Sequence, residues 1–512
     1  MRILIIGQFA FDWWSTHLGT ELEIAQRHID AGDQVTLLGC DSGIGSCRTN
    51  LQGNTVTCED CVKLREMGIS RLSGTYEYFK IGAYYPSEIS KETIAELISS
   101  KVFDRASAEN FVYEGHNLGL GAVSSLITES RDPNFDKNIE WFRLLSPLIE
   151  SVLHTYLCVR SFLKTSITFD RAYVFNGRFD VTNGALRACQ EIDHMDVFTH
   201  ERGASIEKYM TFKNATPHDR NYLHRIAVSD WTSCADEVTR RTIGDKFYQR
   251  RLEGKDTSWK NFLDHQEDEV LPDEFDRRRR NIVIFNSSED EFVGLGPNWE
   301  NPIYESQSHG VVRIVRDALK VSPDMHFYLR MHPNLESVDN EDTKRLEDLA
   351  REGVQNFTFI PPSSDVSSYA LMRASDAVLT FGSTIGVEAT YWGKVSILAG
   401  HAFYEDFDAT HSVNTHDEVM RMLADCRLKP KPKLGAIIFG YHMGTRGEKF
   451  KYLKAADLFN VRFKDTPLSI PKNSTPEEKV SFARNLERKL RPFWKKIISK
   501  LSTFLKLIGF IT

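Results

Sequence analysis

The chain is poor in the features that would place it in a membrane, outside the cell or on nucleic acid. No apolar run approaches the roughly 20 residues that a spanning helix needs. The opening Met1-Arg2-Ile3-Leu4-Ile5-Ile6-Gly7 is a short apolar strand with no signal-peptide cleavage pattern. Eight cysteines in 512 residues do not make a disulfide framework. Positive charge is also scarce: 64 Lys and Arg against 71 Asp and Glu leave a net charge of −7, which argues against a general nucleic-acid binder. These absences lead to the expectation of a protein made and kept in the cytoplasm. What is present is ordinary for a packed globular chain, with 41% hydrophobic and 26% charged residues. The length allows two domains and an extension.

The order of the patterns predicts an α/β protein. A strand over residues 2–7, a helix over 20–31, a stop at Gly32-Asp33 and a strand over 34–38 form a βαβ opening. A less regular region with aromatic clusters follows to about residue 135. Apolar residues at helical spacing (Phe142, Leu145, Ile149, Val152, Leu153) then predict a long helix over 138–163. Strands over 172–175 and 197–200 flank a helix over 182–191. Residues 256–280 are highly charged, carry Pro272 and end in four arginines, the composition of a solvated linker. A second alternation starts at Asn281, with helices near 309–320, 341–352, 366–374 and 385–392 and strands near 326–330, 357–360, 376–380 and 395–398. The expected architecture is two Rossmann-like, doubly wound domains, over 1–255 and 281–425. A return segment over 426–475 and a basic amphipathic helix over 476–512 complete it.

Two motifs in the second domain carry chemistry. The first runs from Leu379-Thr380-Phe381-Gly382-Ser383-Thr384 to Glu388 and predicts a strand, a small-residue turn and a helix opening on two hydroxyls. Backbone N–H groups there favour phosphate, and Glu388, about one helical turn on, is placed to reach a ligand hydroxyl. Taken alone, Gly-Ser-Thr is also an ordinary helix cap. The second is His326-Phe327-Tyr328-Leu329-Arg330-Met331-His332-Pro333-Asn334, which ends a strand in a cation and an imidazole. Ligands of open parallel sheets bind at the carboxyl edge where both motifs fall.

Together with Asn286-Ser287-Ser288-Glu289-Asp290-Glu291-Phe292, these motifs resemble the capsule polysaccharide biosynthesis proteins, which are GT-B-type glycosyltransferases. The similarity is clearest over residues 281–400. The His-Pro corner and the Ser-Thr pair are also similar to elements of bacterial sialyl- and Kdo-transferases. The resemblance implies two domains facing a cleft, a nucleotide-sugar donor and no cofactor for catalysis. It implies that His332 and Pro333 form a donor corner beside Arg330, that Ser287 and Ser288 line it, and that Gly382, Ser383 and Thr384 bind phosphate. It gives Glu388 the donor ribose.

The acceptor-activating base does not follow from the motifs. In an inverting transfer a carboxylate or imidazole must reach the acceptor hydroxyl, and the first domain is expected to supply it. Glu201 closes the strand ending in His200, while Asp12 and His17 share the loop after the first strand. Trp13 and Trp14 of that loop suit sugar stacking, and Asn176, Arg178 and Arg202 are further acceptor-side candidates. Helix capping by Asp12 and His17 and a local Glu201–Arg202 ion pair are the plain alternatives.

Cys40, Cys47, Cys58 and Cys61 have the spacing C-x6-C-x10-C-x2-C, which admits a structural zinc through a short C-x2-C hairpin; unlinked thiols are the alternative. From Arg488 to the end there are seven basic residues and no acidic one, with Trp494, Ile497, Ile498, Leu501, Leu505 and Ile508 at helical spacing. Such a helix fits an anionic membrane surface, or packs across the two domains. The leading expectation of function is a glycosyltransferase acting on a surface polysaccharide or lipid-linked acceptor. A CDP-glycerol-type glycerophosphotransferase, a nucleotide-sugar epimerase or a non-catalytic sugar-binding protein on the same fold are the other readings.

Overall fold

The computed structural model describes residues 1–10, 16–138, 140–165, 167–255, 266, 269–457 and 460–470. The first strand, β1 (Arg2–Gly7), has five of its six residues buried, as an apolar strand covered on both faces must. Helix α1 (Thr16–Asp30) returns to β2 (Gln34–Gly39), and α2 (Thr55–Ile69) leads to β3 (Tyr76–Lys80). The excursion that follows is more regular than the sequence pattern implies. It contains α3 (Lys91–Lys101), α4 (Arg105–Glu109), the hairpin β4 (Val112–Tyr113) and β5 (His116–Asn117), α5 (Gly119–Ser130) and the long α6 (Trp141–Leu163). The tyrosine cluster near residue 76 forms the edge strand β3, paired in parallel with β2.

From there β6 (Arg171–Phe175), α7 (Asp180–Cys189), β7 (Asp196–Arg202) and β8 (Lys208–Lys213) complete the first alternation. Helices α8 (Arg220–Ser233) and α9 (Glu237–Leu252) follow it. The second alternation is β9 (Arg280–Phe285), α10 (Gln307–Val321), β10 (Met325–Arg330), α11 (Glu341–Arg351), β11 (Phe357–Ile360), α12 (Ser368–Ala374), β12 (Ala377–Thr380), α13 (Ile385–Tyr391), β13 (Val395–Leu398), β14 (His411–Ser412) and α14 (His416–Ala424). The return consists of α15 (Lys433–Thr445), β15 (Glu448–Lys449) and a small sheet of β16 (Leu453–Ala455), β17 (Val461–Phe463) and β18 (Thr466–Pro467).

Two sheets organise the molecule. The first has the order β15-β8-β7-β6-β1-β2-β3, parallel from β7 to β3, with β8 and β15 added antiparallel. The second has the order β11-β10-β9-β12-β13-β14 and is parallel throughout. Numbered within their own halves, both follow the doubly wound order 3-2-1-4-5-6, which reverses beside the first strand and opens a crevice at the carboxyl edge there. The fold expectation of two Rossmann-like α/β units holds. The C-terminal helix expected over 476–512 lies outside the described residues.

Packing crosses the sequence boundary in both directions. Ala227 and Trp231 of α8 and Phe247 and Tyr248 of α9 share a core with Val387 and Tyr391 of α13 and with Ala436, Ile437 and Phe439 of α15. The last helices before the charged stretch therefore pack with the second sheet. The return segment goes back to the first: β15 pairs with β8, and Glu23 of α1, fully buried, accepts the main-chain N–H groups of Lys451, Tyr452 and Leu453 at 2.7, 2.7 and 2.9 Å. Residues 1–468 form one compact unit. Among the described residues no helix is long and apolar enough to cross a membrane.

Candidate functional site

The carboxyl edges of the two sheets meet. The turn after β6 is Asn176-Gly177-Arg178, and Asn176 takes φ +55°, a left-handed value that Asn tolerates. Arg178 leaves this turn, donates to Ser124 Oγ at 2.5 Å and Thr128 Oγ1 at 3.3 Å on α5, and reaches the carbonyl of Asp290 in the loop after β9 at 3.3 Å. Arg131, at the end of α5, crosses to the same loop. Its Nη2 donates to Ser288 Oγ at 2.6 Å, Asp290 Oδ1 at 3.3 Å and the Asn334 carbonyl at 3.3 Å. Its Nε stands 2.7 Å from Asp290 Oδ2, as an ion pair without hydrogen-bond alignment. The loop lies close on α5, because a Cβ on Gly294 would stand 2.9 Å from Ser124 Cα.

This loop holds the motif residues 286–292. Ser287 donates its N–H to Gln307 Oε1 at 2.8 Å and buries a hydroxyl with no hydrogen-bond partner among the described residues, while Ser288 donates to Asp290 Oδ1 at 2.6 Å. Glu289 is pushed up to about 8 by burial, reinforced by Asp342, and accepts the Gln307 N–H at 3.0 Å. Glu291, beside Arg131 and Arg178, is raised to about 6 by burial and by Asp290, and accepts from Asn334 Nδ2 at 3.2 Å. Its side chain is exposed to solvent.

The second loop is the His-Pro corner. His332 donates its main-chain N–H to Asn286 Oδ1 at 2.9 Å, and its Nδ1 accepts the Asn334 N–H at 3.1 Å, so the neutral ring carries its proton on Nε2. Burial first, then Arg131 and Arg330, lower its pKa to about 4. His332 is therefore a neutral donor at physiological pH. Pro333 opens the short turn that follows. Arg330, expected as a cation at this edge, turns its guanidinium to the carbonyls of Pro361 at 2.6 Å and Ser364 at 3.2 Å. Burial lowers it to about 10. It braces the neighbouring loop.

The third loop is Gly382-Ser383-Thr384, across β9 from the corner. Gly382 takes φ +148°, and a Cβ there would meet the His401 carbonyl at 2.8 Å. Thr384 is exposed and Ser383 half-buried. Glu388 is 1% exposed. Its Oε1 accepts from Arg251 Nε at 2.9 Å, and its Oε2 accepts from the Tyr369 hydroxyl. Both oxygens are therefore taken by protein.

On the first sheet, Glu201 is half-buried, with Oε2 accepting from Asn176 Nδ2 at 2.7 Å and Oε1 accepting the Arg202 N–H at 3.0 Å. The Arg202 Nε is 3.9 Å from Glu201, the local ion pair that the sequence allowed. His17 packs on Phe175 with ring centroids 3.8 Å apart and the planes tilted by 35°. Burial, and the charges of Arg202, His200 and Arg48, hold its pKa well below the usual imidazole value. Asp12, Trp13 and Trp14 lie outside the described residues.

The cysteines are arranged differently from the expectation. Cys58 and Cys61 sit one turn apart in α2, where the C-x2-C hairpin of a zinc site would need a turn. Cys47 Sγ pairs with Thr49 Oγ1 at 3.1 Å, Cys58 Sγ accepts from Asn50 Nδ2 at 3.1 Å, and Cys61 Sγ accepts the Ala10 N–H at 3.3 Å. Burial pushes the Cys40 thiol up to about 11 and the Cys47 thiol higher still. Among the described residues no three His, Cys, Asp or Glu side chains are grouped to hold a metal ion, these four included.

A cavity of about 510 Å³ opens beside the site, lined by Arg105, Asn134 and Lys137 from the first half and by Glu289, Phe292, Gln307, Phe381 and His401 from the second. A larger open groove of about 750 Å³ runs along α10 and α11, and neither it nor the smaller cavity is lined by Ser287, His332 or Ser383. The smaller cavity adjoins the loop after β9 at Glu289 and Phe292.

The capsule polysaccharide biosynthesis protein family matches residues 250–443, the stretch that carries all three loops of the second sheet. Over these residues the chain is similar to the capsule polysaccharide biosynthesis proteins. Among solved structures, the β-Kdo 2,7-transferase of Thermosulfurimonas dismutans KpsC is similar at 18% identity, covering 56% of this chain and 79% of that one, with a TM-score of 0.32. The β-Kdo 2,4-transferase of the same protein is similar at 14% identity over 58% and 84%, with a TM-score of 0.35. An α,α-trehalose-phosphate synthase from Burkholderia vietnamiensis is similar at 10% identity over 87% and 95%, with a TM-score of 0.33. No curated protein matches the chain. The family match takes in Arg251, Ser287, His332 and Ser383 and does not reach Arg131, Arg178 and Glu201 of the first half. Sequence patterns missed Arg131 and Arg251, because neither stands in a motif and each reaches the site from a separate element; Glu291 lies within the 286–292 motif, but the pattern gave it no role.

Proposed function

We propose that the protein is a glycosyltransferase of capsular polysaccharide synthesis, moving a sugar from a nucleotide-sugar donor to a polysaccharide or lipid-linked acceptor. The observation that carries this reading is the meeting of two carboxyl edges at Asp290, where Arg178 from the first sheet joins the family's motif loop. A crevice between two such edges can hold a donor on one side and an acceptor on the other. In this reading the donor phosphate lies at Ser383 and Thr384, and His332 donates its Nε2 proton to it. Glu201, oriented by Asn176, takes the proton of the acceptor hydroxyl as the sugar carbon is attacked, so the anomeric configuration inverts. The basic segment from residue 488 onward brings the enzyme to anionic lipid, close to lipid-linked acceptors.

The test is a thermal-shift screen of CMP-, UDP- and GDP-sugars, followed by transfer of a labelled sugar and NMR of the product anomer. A donor that stabilises the protein and is consumed only when acceptor is added supports the reading. Conversion of the donor without acceptor would make the protein an epimerase. Binding without turnover would make it a sugar-binding protein.

A further inference from the structure

The sequence puts Arg178 among the acceptor-side candidates, yet the folded chain sends it across to the loop after β9. Its Nε and Nη2 are spent on the hydroxyls of Ser124 and Thr128 and on the Asp290 carbonyl. All three acceptors are neutral, and among the described residues no carboxylate forms an ion pair with Arg178. Burial, with Arg48 nearby, lowers it to about 10, against the pull of Glu291 and Asp290 through space. It is therefore a cation at neutral pH, drawn back from water without a paired counter-ion, a state that costs free energy until an anion joins it. Arg131 meets the same loop residue, with Nη2 3.3 Å from Asp290 Oδ1, and takes up the Asp290 charge as an ion pair. In both arginines Nη1 has no hydrogen-bond partner among the described residues and is not sealed from solvent. Two guanidinium groups with free N–H ends at one loop suit the oxygens of a phosphate. That loop lies between the His-Pro corner and the Gly382 turn, because β10 and β12 flank β9.

We infer that Arg178 and Arg131 are phosphate-binding residues of the donor site, contributed by the first half of the chain. The inference rests on the nucleotide-donor reading above. It supplies the positive charge that Arg330, turned to the carbonyls of Pro361 and Ser364, does not bring to the crevice. As the acceptor oxygen bonds to the sugar carbon and gives its proton to the base, the bond from that carbon to the donor phosphate breaks. Its electron pair stays on the phosphate oxygen, where the two guanidinium groups hold the charge that gathers.

The experiment is calorimetry on the full chain with CMP, UMP and GMP, each compared with its nucleoside by competition. For the mononucleotide that binds, Arg178→Met is expected to weaken binding at least tenfold and to leave the nucleoside within about twofold. Arg178→Lys keeps the charge but cannot hold the α5 hydroxyls and a phosphate at once, so it should lose at least threefold by the same comparison. It carries the test if Arg178→Met does not fold. Mononucleotide affinity unchanged in these variants, or nucleoside affinity falling as far as mononucleotide affinity, would reduce Arg178 to a brace between α5 and the loop and overturn the inference alone. No mononucleotide binding by the parent protein would overturn the donor reading, and the inference with it.

Discussion

Arg131 and Asp290 form an ion pair at 2.7 Å between the end of α5 and the loop after β9, with side chains 29% and 7% exposed. The pair joins a residue of the first half to the motif loop of the second. Removing the cation leaves a carboxylate with little access to water, which is more costly than losing the attraction itself. Arg131→Met is expected to destabilise the protein by about 2–3 kcal/mol, below the value for fully buried pairs because Arg131 is partly solvated. Arg131→Met/Asp290→Asn should recover part of that loss in a denaturant titration. No recovery would mean that the pair does not couple the halves.

The hydroxyl turn and the His-Pro corner should act together on the nucleotide. Ser383→Ala/Thr384→Ala is expected to weaken donor binding by roughly 1–3 kcal/mol for each hydrogen bond lost. His332→Ala should weaken it by a similar amount. Because burial lowers His332 to about 4, its contribution should stay flat between pH 5.5 and 8. A rise in affinity on acidification towards pH 6 that disappears in His332→Ala would show a charged imidazole instead.

Turnover should separate from binding on the first sheet. Glu201→Gln is expected to lower kcat by about 100-fold or more, the usual scale for a lost general base, with nucleotide affinity unchanged. Asn176→Ala should lower kcat less, since Asn176 only orients the Glu201 carboxylate through its 2.7 Å bond. Full turnover in Glu201→Gln would move the base elsewhere.

Glu21 gives the stability a pH dependence of known sign. Burial raises its carboxyl from 4.5 to about 8, against the pull of Arg65, and a Cβ on Gly7 would stand 2.5 Å from Glu21 Oε2. Between about pH 4.5 and 8 the folded chain keeps a proton that the unfolded chain releases, so this group's contribution falls as pH rises. Glu21→Gln cannot ionise. Its stability relative to the parent should therefore grow by a few kcal/mol from pH 5 to pH 8.5 in denaturant titrations. A constant difference would show that Glu21 is not held neutral.

The basic C-terminal segment should bind anionic vesicles. Each lysine or arginine near such a surface contributes on the order of 1 kcal/mol, and high salt should weaken the attachment without abolishing it. A chain lacking residues 488–512 should stay in solution in a flotation assay while keeping activity on a soluble acceptor. Retention of the shortened chain on the vesicles would place the attachment elsewhere.

Much of the fold was legible in residue order because parallel strands announce themselves locally. The apolar runs Ile282-Val283-Ile284 and Val378-Leu379 read as covered strands, and they are β9 and β12, with helices α10 to α13 close to their expected positions. The motif loops were legible for the same reason: a turn that ends a parallel strand lies at the carboxyl edge whatever surrounds it. The region before residue 135 was not, since α2 and α5 carry no long apolar stripe and the short hairpin there needs its neighbours to form. Cys58-x2-Cys61 likewise fits a metal hairpin or a helix by spacing alone, and packing decided for the helix. What a side chain touches was settled only by tertiary structure. Glu388 stands at the expected place in sequence, yet α9, brought across by the Tyr248–Tyr391 stack, spends its charge on Arg251. Arg330 turns to the loop beside it, and Arg131 and Arg178 enter from the other half. Local periodicity depends on a residue and its near neighbours in the chain. Partnership depends on which surfaces are pressed together, and burial then forces each charged or polar group onto whatever partner lies within reach.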